Sequence, residues 1–233
     1  MVLVLTAIFA VSTHFLLAQN VEDKKQMDDF EEIQDIVDDN SNEIYSLGIY
    51  SDLYEQNSDF MAWIKIAGTN INYPVMRSKD NPNYYLNHNF NKEYSRFGVP
   101  YMQEYCDMQS DNIVIYGHNM QNKSMFNELT NYKSKHFYDN HKIIIIDTVL
   151  EHREYEVIAV FKTVAYESNS FEYYNFVNAS TEEDYRAYIE KCKALSLYDT
   201  GIDAKYGDKL ITLSTCEYSQ DNGRFVVVAK LVD

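Results

Sequence analysis

From Trp63 onward the apolar residues fall in short runs bounded by polar turns, which is the pattern of strands. Trp63 to Ile66 and Ile71 to Val75 flank a turn at Gly68, and Gly98 to Met102 and the run Ile113 to Tyr116 follow. Ile143 to Ile146 and Tyr155 to Val164 lie either side of the charged turn Glu151 to Glu154. Lys209 to Thr215 and Arg224 to Val232 close the chain across the loop Glu217 to Gly223. Elsewhere the period changes. Met125 to Tyr132 suits a helix, and Ser180 with Glu183 forms a capping-box pattern ahead of Tyr185, Tyr188, Ile189, Cys192 and Leu195 at helical spacing. Strands with hairpin-length connections and few helices predict a mostly antiparallel β-barrel carrying peripheral helices.

The start of the chain is of another kind. Met1 to Ala18 is apolar apart from Thr6, Ser12, Thr13 and His14. A helix of that length spans about 27 Å at ~1.5 Å per residue, close to the ~30 Å of a bilayer core. An uncleaved membrane anchor is expected, with a cleaved signal peptide as its rival: the run ends Leu16-Leu17-Ala18, and a bulky residue stands where a cleavage site wants a small one. Lys24 and Lys25 follow and no Lys or Arg precedes, so a literal positive-inside count would leave the rest of the chain on the cytoplasmic side. From Val21 to Asn42 the chain turns acidic, with Phe30, Ile33, Ile36 and Val37 on one face of a helix that either lies on the domain or forms a solvated stalk.

Composition narrows the picture. At 233 residues the chain has room for one domain and an appendage, and 45% hydrophobic with 15% aromatic residues supply one core. A net charge of −16 repels phosphate backbones, which excludes nucleic acid as a partner. The three cysteines, Cys106, Cys192 and Cys216, cannot all pair within the chain, and no histidine sits beside one at metal-ligand spacing, so no metal site is expected.

Taken alone, a cysteine at a strand end is more often a small buried hydrophobe than a nucleophile. Cys192, on the apolar face of a helix, reads as structural, and Cys106 as a bystander in a polar loop. The setting of Cys216 is different. Along Leu210 to Cys216 the alternation puts Thr212, Ser214 and Cys216 on one face and Ile211, Leu213 and Thr215 on the other. Arg224 opens the next strand, and a hairpin of that loop length brings its guanidinium near the cysteine. His118 ends the run Ile113 to Gly117, where Gly117 is expected to permit a bend that presents the imidazole at a barrel rim.

The string Thr212-Leu213-Ser214-Thr215-Cys216 resembles the TLxTC signature of sortases, and Tyr116-Gly117-His118 and Arg224 match that family's histidine and arginine positions. The resemblance runs from about Asp59 to Val232, through Ile71–Val75, Tyr85–Asn87, Tyr116–Met120, Ser124–Phe126 and Val226–Val232. Within the family the chain looks like class B. That likeness implies an eight-stranded sortase barrel, an N-terminal helical extension, and a long helix before the strand that leads to the cysteine. The class C lid, with Asp-Pro and an aromatic, is absent, since Pro74, Pro82 and Pro100 are the only prolines and none follows Asp. L,D-transpeptidases carry histidine and glycine immediately before the cysteine, where this chain has Thr215, and the papain and caspase signatures do not occur. The organisation expected is an anchor over 1–18, an acidic helical extension over 19–57 and a catalytic domain over 58–233.

The resemblance also implies a role for each residue. Cys216 would attack the threonine carbonyl of an NPxTN-like sorting signal, His118 would protonate the leaving amine, and Arg224 would steady the oxyanion. An ordinary cysteine–histidine pair is thiolate and imidazolium at once in only ~1% of molecules at pH 7, so a cationic neighbour that raises the thiolate fraction is useful. The expected partners are the sorting peptide, a peptidoglycan precursor amine and, through the first segment, the cell membrane, with the domain on the extracellular face. No cofactor is implied. Ser214, Glu217 and Tyr116 are candidate substrate-binding residues, and Asn81 and Leu86 resemble substrate-groove positions. Two other readings are a cysteine endopeptidase, in which water resolves the acyl enzyme, and a non-catalytic binding domain on the same barrel.

Overall fold

In the computed structural model, which describes residues 2–40, 47–167 and 170–232, strands form in each of the predicted apolar runs. They are β1 (Phe60–Lys65), β2 (Asn72–Met76), β3 (Tyr101–Met102), β4 (Asn112–Tyr116), β5 (Ile143–Asp147), β6 (His152–Val164), β7 (Leu210–Cys216) and β8 (Gly223–Leu231). They close into a barrel in the order β1-β2-β3-β4-β7-β8-β6-β5, with β2/β3 and β4/β7 parallel and the other neighbours antiparallel. The eight-stranded barrel is therefore the observed architecture.

Trp63, Ile64, Ile115, Leu213 and Val227 are all buried in the domain core. β3 is much shorter than the apolar run Gly98–Met102 suggests. Pro100 has no N–H to give a ladder, and Gly98, at φ +55°, lies so close to Tyr85 that an added Cβ would sit 2.4 Å from its carbonyl oxygen. The Val99 N–H therefore donates to the Tyr85 carbonyl of a neighbouring turn at 3.0 Å, while the Pro100 carbonyl accepts from Met76 of β2 at 2.9 Å.

The chain divides into two compact units, Met1–Tyr45 and Ser46–Asp233. The first holds α1 (Val2–Asn40), one helix that runs through both the apolar and the acidic stretch without a break at the boundary expected near residue 18. Among the described residues no helix is long and apolar enough to cross a membrane. Polar residues dilute the run; the Thr13 hydroxyl donates back to the Phe9 carbonyl at 2.8 Å.

The second unit opens with α2 (Leu47–Gln56). The predicted helix Met125–Tyr132 is instead a 3₁₀ turn, Asn127–Lys133, followed by the short α3 (Lys135–Asn140), because Met125 has a left-handed φ of +55° and cannot begin a helix. α4 (Glu182–Leu195) buries Tyr185, Tyr188, Ile189 and Cys192 as expected. Its cap lies one residue later than the pattern suggests: Thr181 accepts from the Asp184 N–H, which draws Glu182, Glu183 and Asp184 into the first turn, where the helix dipole favours them.

Candidate active site

The alternation along β7 decides which of its polar residues reaches solvent. Thr212 is covered: its hydroxyl donates to Asn112 Oδ1 at 2.8 Å and lies 3.1 Å from the Tyr188 hydroxyl of α4. Ser214 is covered too, 2.6 Å from the Tyr173 hydroxyl in the 3₁₀ turn Tyr173–Asn175. Cys216, third on that face and last in the strand, is half-exposed. The other cysteines differ: Cys106 and Cys192 are buried, and burial pushes their thiols up to about 11 and about 12. At neutral pH they stay protonated and inert.

Register brings Arg224 to Cys216. The two are direct partners across the antiparallel β7/β8 pair, and such partners project to the same side. The guanidinium donates from Nη1 to the Gly223 carbonyl at 3.0 Å and lies 5.9 Å from the centroid of the Tyr166 ring.

His118 arrives from the other neighbour of β7. β4 and β7 run parallel to the pair Tyr116/Ser214, and the Gly117 N–H continues the ladder to the Ser214 carbonyl at 3.1 Å. Two residues past Tyr116, His118 thus leaves the barrel at the level where Cys216 leaves it, two past Ser214. Its Nε2 donates to the Leu86 carbonyl at 2.8 Å. A carbonyl can only accept, so Nε2 keeps its proton and Nδ1 is the nitrogen left to exchange one.

Gly117 serves a purpose other than the expected bend. Its φ is not in the left-handed region; a Cβ there would lie 2.6 Å from the Phe126 ring, so the glycine makes room for that ring against the strand end. The same segment is tied to β7 by Asn119, whose Nδ2 donates to the Cys216 carbonyl at 2.8 Å while its Oδ1 accepts from Asn127 at 2.7 Å.

Cys216, His118 and Arg224 line one cleft of about 370 Å³, together with Ser214, Tyr116 and Leu86. Residues from connections outside the strands line it as well: Pro82 and Asn83, and Tyr166, Tyr173, Tyr174 and Asn175. Tyr101 of β3 and Tyr116 of β4 complete the lining, their ring centroids 5.5 Å apart. Burial pushes the Tyr101 and Tyr173 phenols up to about 12 and drives Tyr116 upward as well, so these hydroxyls stay neutral.

Two groove candidates fall outside. Asn81 does not line the cleft; its carbonyl accepts from the Tyr84 N–H in the adjoining turn. Glu217, a candidate substrate-binding residue, is not among the lining residues either; it is buried, at 6% exposure, with its carboxylate accepting from Lys162, Lys133 and Ser219. Tyr166 and Tyr174 line the cleft without having been singled out in the sequence. For Tyr174 the available signal was the aromatic cluster Phe171 to Phe176, which fits neither a strand nor a helix.

A barrel rim that gathers a half-exposed cysteine, a histidine and an arginine from three adjacent strands defines a candidate cysteine acyl-transfer enzyme. The sequence matches the family model for the sortase domain over residues 64–232. Sortase B of Listeria monocytogenes is 36% identical over 188 residues, 78% of this chain and 73% of that protein. A solved Staphylococcus aureus sortase B–substrate complex superimposes with a TM-score of 0.81 at 29% identity, covering 91% of this chain and 99% of that one. A sortase B complexed with triglycine superimposes with a TM-score of 0.82 at 30% identity and the same coverage. This chain belongs to the sortase family, within it to class B, and is an enzyme of the cysteine transpeptidase type.

Proposed function

We propose that this enzyme cleaves an NPxTN-like sorting signal at its threonine and passes the acyl chain to an amine of a peptidoglycan precursor. The observation that carries the reading is the convergence of the half-exposed Cys216, its cross-strand partner Arg224 and His118 on one cleft. The Cys216 thiolate attacks the threonine carbonyl and forms a C–S bond. The Arg224 guanidinium faces the developing oxyanion, and as the C–N bond breaks, His118 Nδ1 gives its proton to the leaving amine. The acceptor amine then attacks the thioester, loses a proton to the imidazole and expels the thiolate. A cleft of about 370 Å³ with neutral hydroxyls on its walls suits a peptide.

Solved relatives hold a substrate in one case and triglycine in another, which supports a sorting peptide as donor and a glycyl amine as acceptor. The same reading places the barrel on the outer face of the cell envelope, attached through residues 1–18. Recovery of the full-length chain in a membrane fraction is expected, and recovery only as soluble protein overturns that attachment.

Mass spectrometry of the enzyme with an NPxTN-like peptide and triglycine tests the chemistry. A ligated product is expected, and Cys216→Ala is expected to abolish it. Cleavage that survives Cys216→Ala sinks the assignment of the nucleophile, and acid product alone in the presence of excess amine favours hydrolysis over transfer.

A further inference from the structure

The turn that joins β7 to β8 carries the nucleophile at one end and the arginine at the other, so whatever fixes this turn fixes their separation. Of residues 217–222 only Glu217 is buried. Its Oε1 accepts from Lys162 of β6 at 2.9 Å and from Lys133 at 3.4 Å, and its Oε2 accepts from the Ser219 N–H at 3.0 Å and from the Ser219 hydroxyl. With its acceptor sites occupied in this way, the carboxylate has little capacity for a substrate group. Burial alone would raise its pKa; Ser219 and Lys162 outweigh that and hold it at about 2, so it is ionised throughout the working range.

The backbone completes the arrangement. The Glu217 N–H donates to the Gly223 carbonyl at 2.9 Å, and that same carbonyl accepts Arg224 Nη1. A Cβ at Gly223 would lie 2.2 Å from the Glu217 carbonyl oxygen, so the glycine is required for the two strand ends to approach this closely. Lys162 pairs with Phe225, next to Arg224 in β8, and Lys133 lies 5.8 Å from the Phe225 ring centroid. Glu217 therefore ties the turn to β6 and to the 3₁₀ turn Asn127–Lys133.

We propose that Glu217 is a positioning residue, whose carboxylate, clamped by Lys162 and Lys133, locks the β7–β8 turn and thereby sets the geometry of Cys216 against Arg224. The proposal rests on Cys216 and Arg224 having the roles given above. It assigns Glu217 to the turn and not to substrate contact. Glu217, Lys133 and Lys162 are not among the residues that line the cleft.

Steady-state transpeptidation of the full chain with peptide and triglycine, at a temperature where each variant is folded, tests the lock. Glu217→Gln and Lys162→Met are each expected to lower kcat about 10–100-fold with KM within about twofold, as a small displacement of reacting groups does. Lys162→Arg, which keeps the cation, is expected to stay within about threefold of the parent. The double variant is expected to be no slower than the slower single, because both changes break one unit. Unchanged kcat in both single variants overturns the proposal. So does a raised KM at constant kcat, which would make Glu217 a substrate contact, or full additivity in the double variant. If Glu217→Gln does not fold, the Lys162 pair carries the test, since that side chain is 34% exposed. Cleavage that survives Cys216→Ala removes the proposed function itself, whereas an active parent with indifferent Glu217 and Lys162 variants removes only the lock.

Discussion

The two walls of the cleft are made differently. One is strand-built: Cys216, Arg224, Ser214 and Tyr116 stand in or at the ends of paired strands, and His118 follows β4 by two residues. The other is loop-built, with Pro82, Asn83, Tyr166 and Tyr174 carried by connections outside the ladder. Ladder pairing fixes a side chain through its neighbours' backbones, while a loop residue holds its place only through local contacts. The division matches the chemical task. Under the proposed function, bond-making groups lie where geometry is over-determined, and groups that would meet a variable peptide lie where the backbone can adjust.

Substitutions on the two walls should therefore fail in different ways. The largest effect is expected from Arg224→Lys, which keeps the charge and loses the planar fork: kcat should fall about 100-fold in the peptide–triglycine assay with KM little changed. Near-normal turnover would show that charge alone suffices. Gly117→Ala should come next, destabilising the barrel by about 1–3 kcal/mol as the new methyl meets the Phe126 ring; calorimetry measures it, and an unshifted Tm would contradict the packing role assigned to this glycine. The smallest effect belongs to the loop wall. Tyr166→Ala removes a ring lying over Arg224 and should raise KM about 2–5-fold, the equivalent of an exposed cation–π contact, while Tyr166→Phe should leave it unchanged. If Tyr166→Ala depressed kcat as severely as Arg224→Lys, the distinction between the walls would collapse.

Legibility in the sequence follows the same division. Alternation and a hairpin-length loop were enough to face Arg224 toward Cys216, because both signals are local. The place of His118 was not legible from pattern alone: it depends on the parallel pairing of β4 with β7, residues far apart in the chain, and the family resemblance supplied what periodicity could not. Glu217 looked like any acidic loop residue because Lys162 and Lys133 come from distant segments. Tyr166 was missed for another reason. It holds a left-handed φ of +66°, which a bulky residue seldom adopts and which no composition announces. The eight strands were visible because each buries an apolar run, while β3 shrank because Pro100 and the close approach of Gly98 to Tyr85 were not weighed against its hydrophobicity.

The β4–β7 ladder also has a bearing on how the protein comes into being. Joining Ile113 to Ile211 closes a loop of roughly a hundred residues, at an entropic cost of about 4 kcal/mol before any contact rewards it. Such a pairing is expected to form after hairpins such as β5/β6, which need only local closure. Until it forms, the thiol and the imidazole belong to separate pieces of an open chain. On this reading the enzyme is expected to stay chemically silent until the β4–β7 ladder has formed.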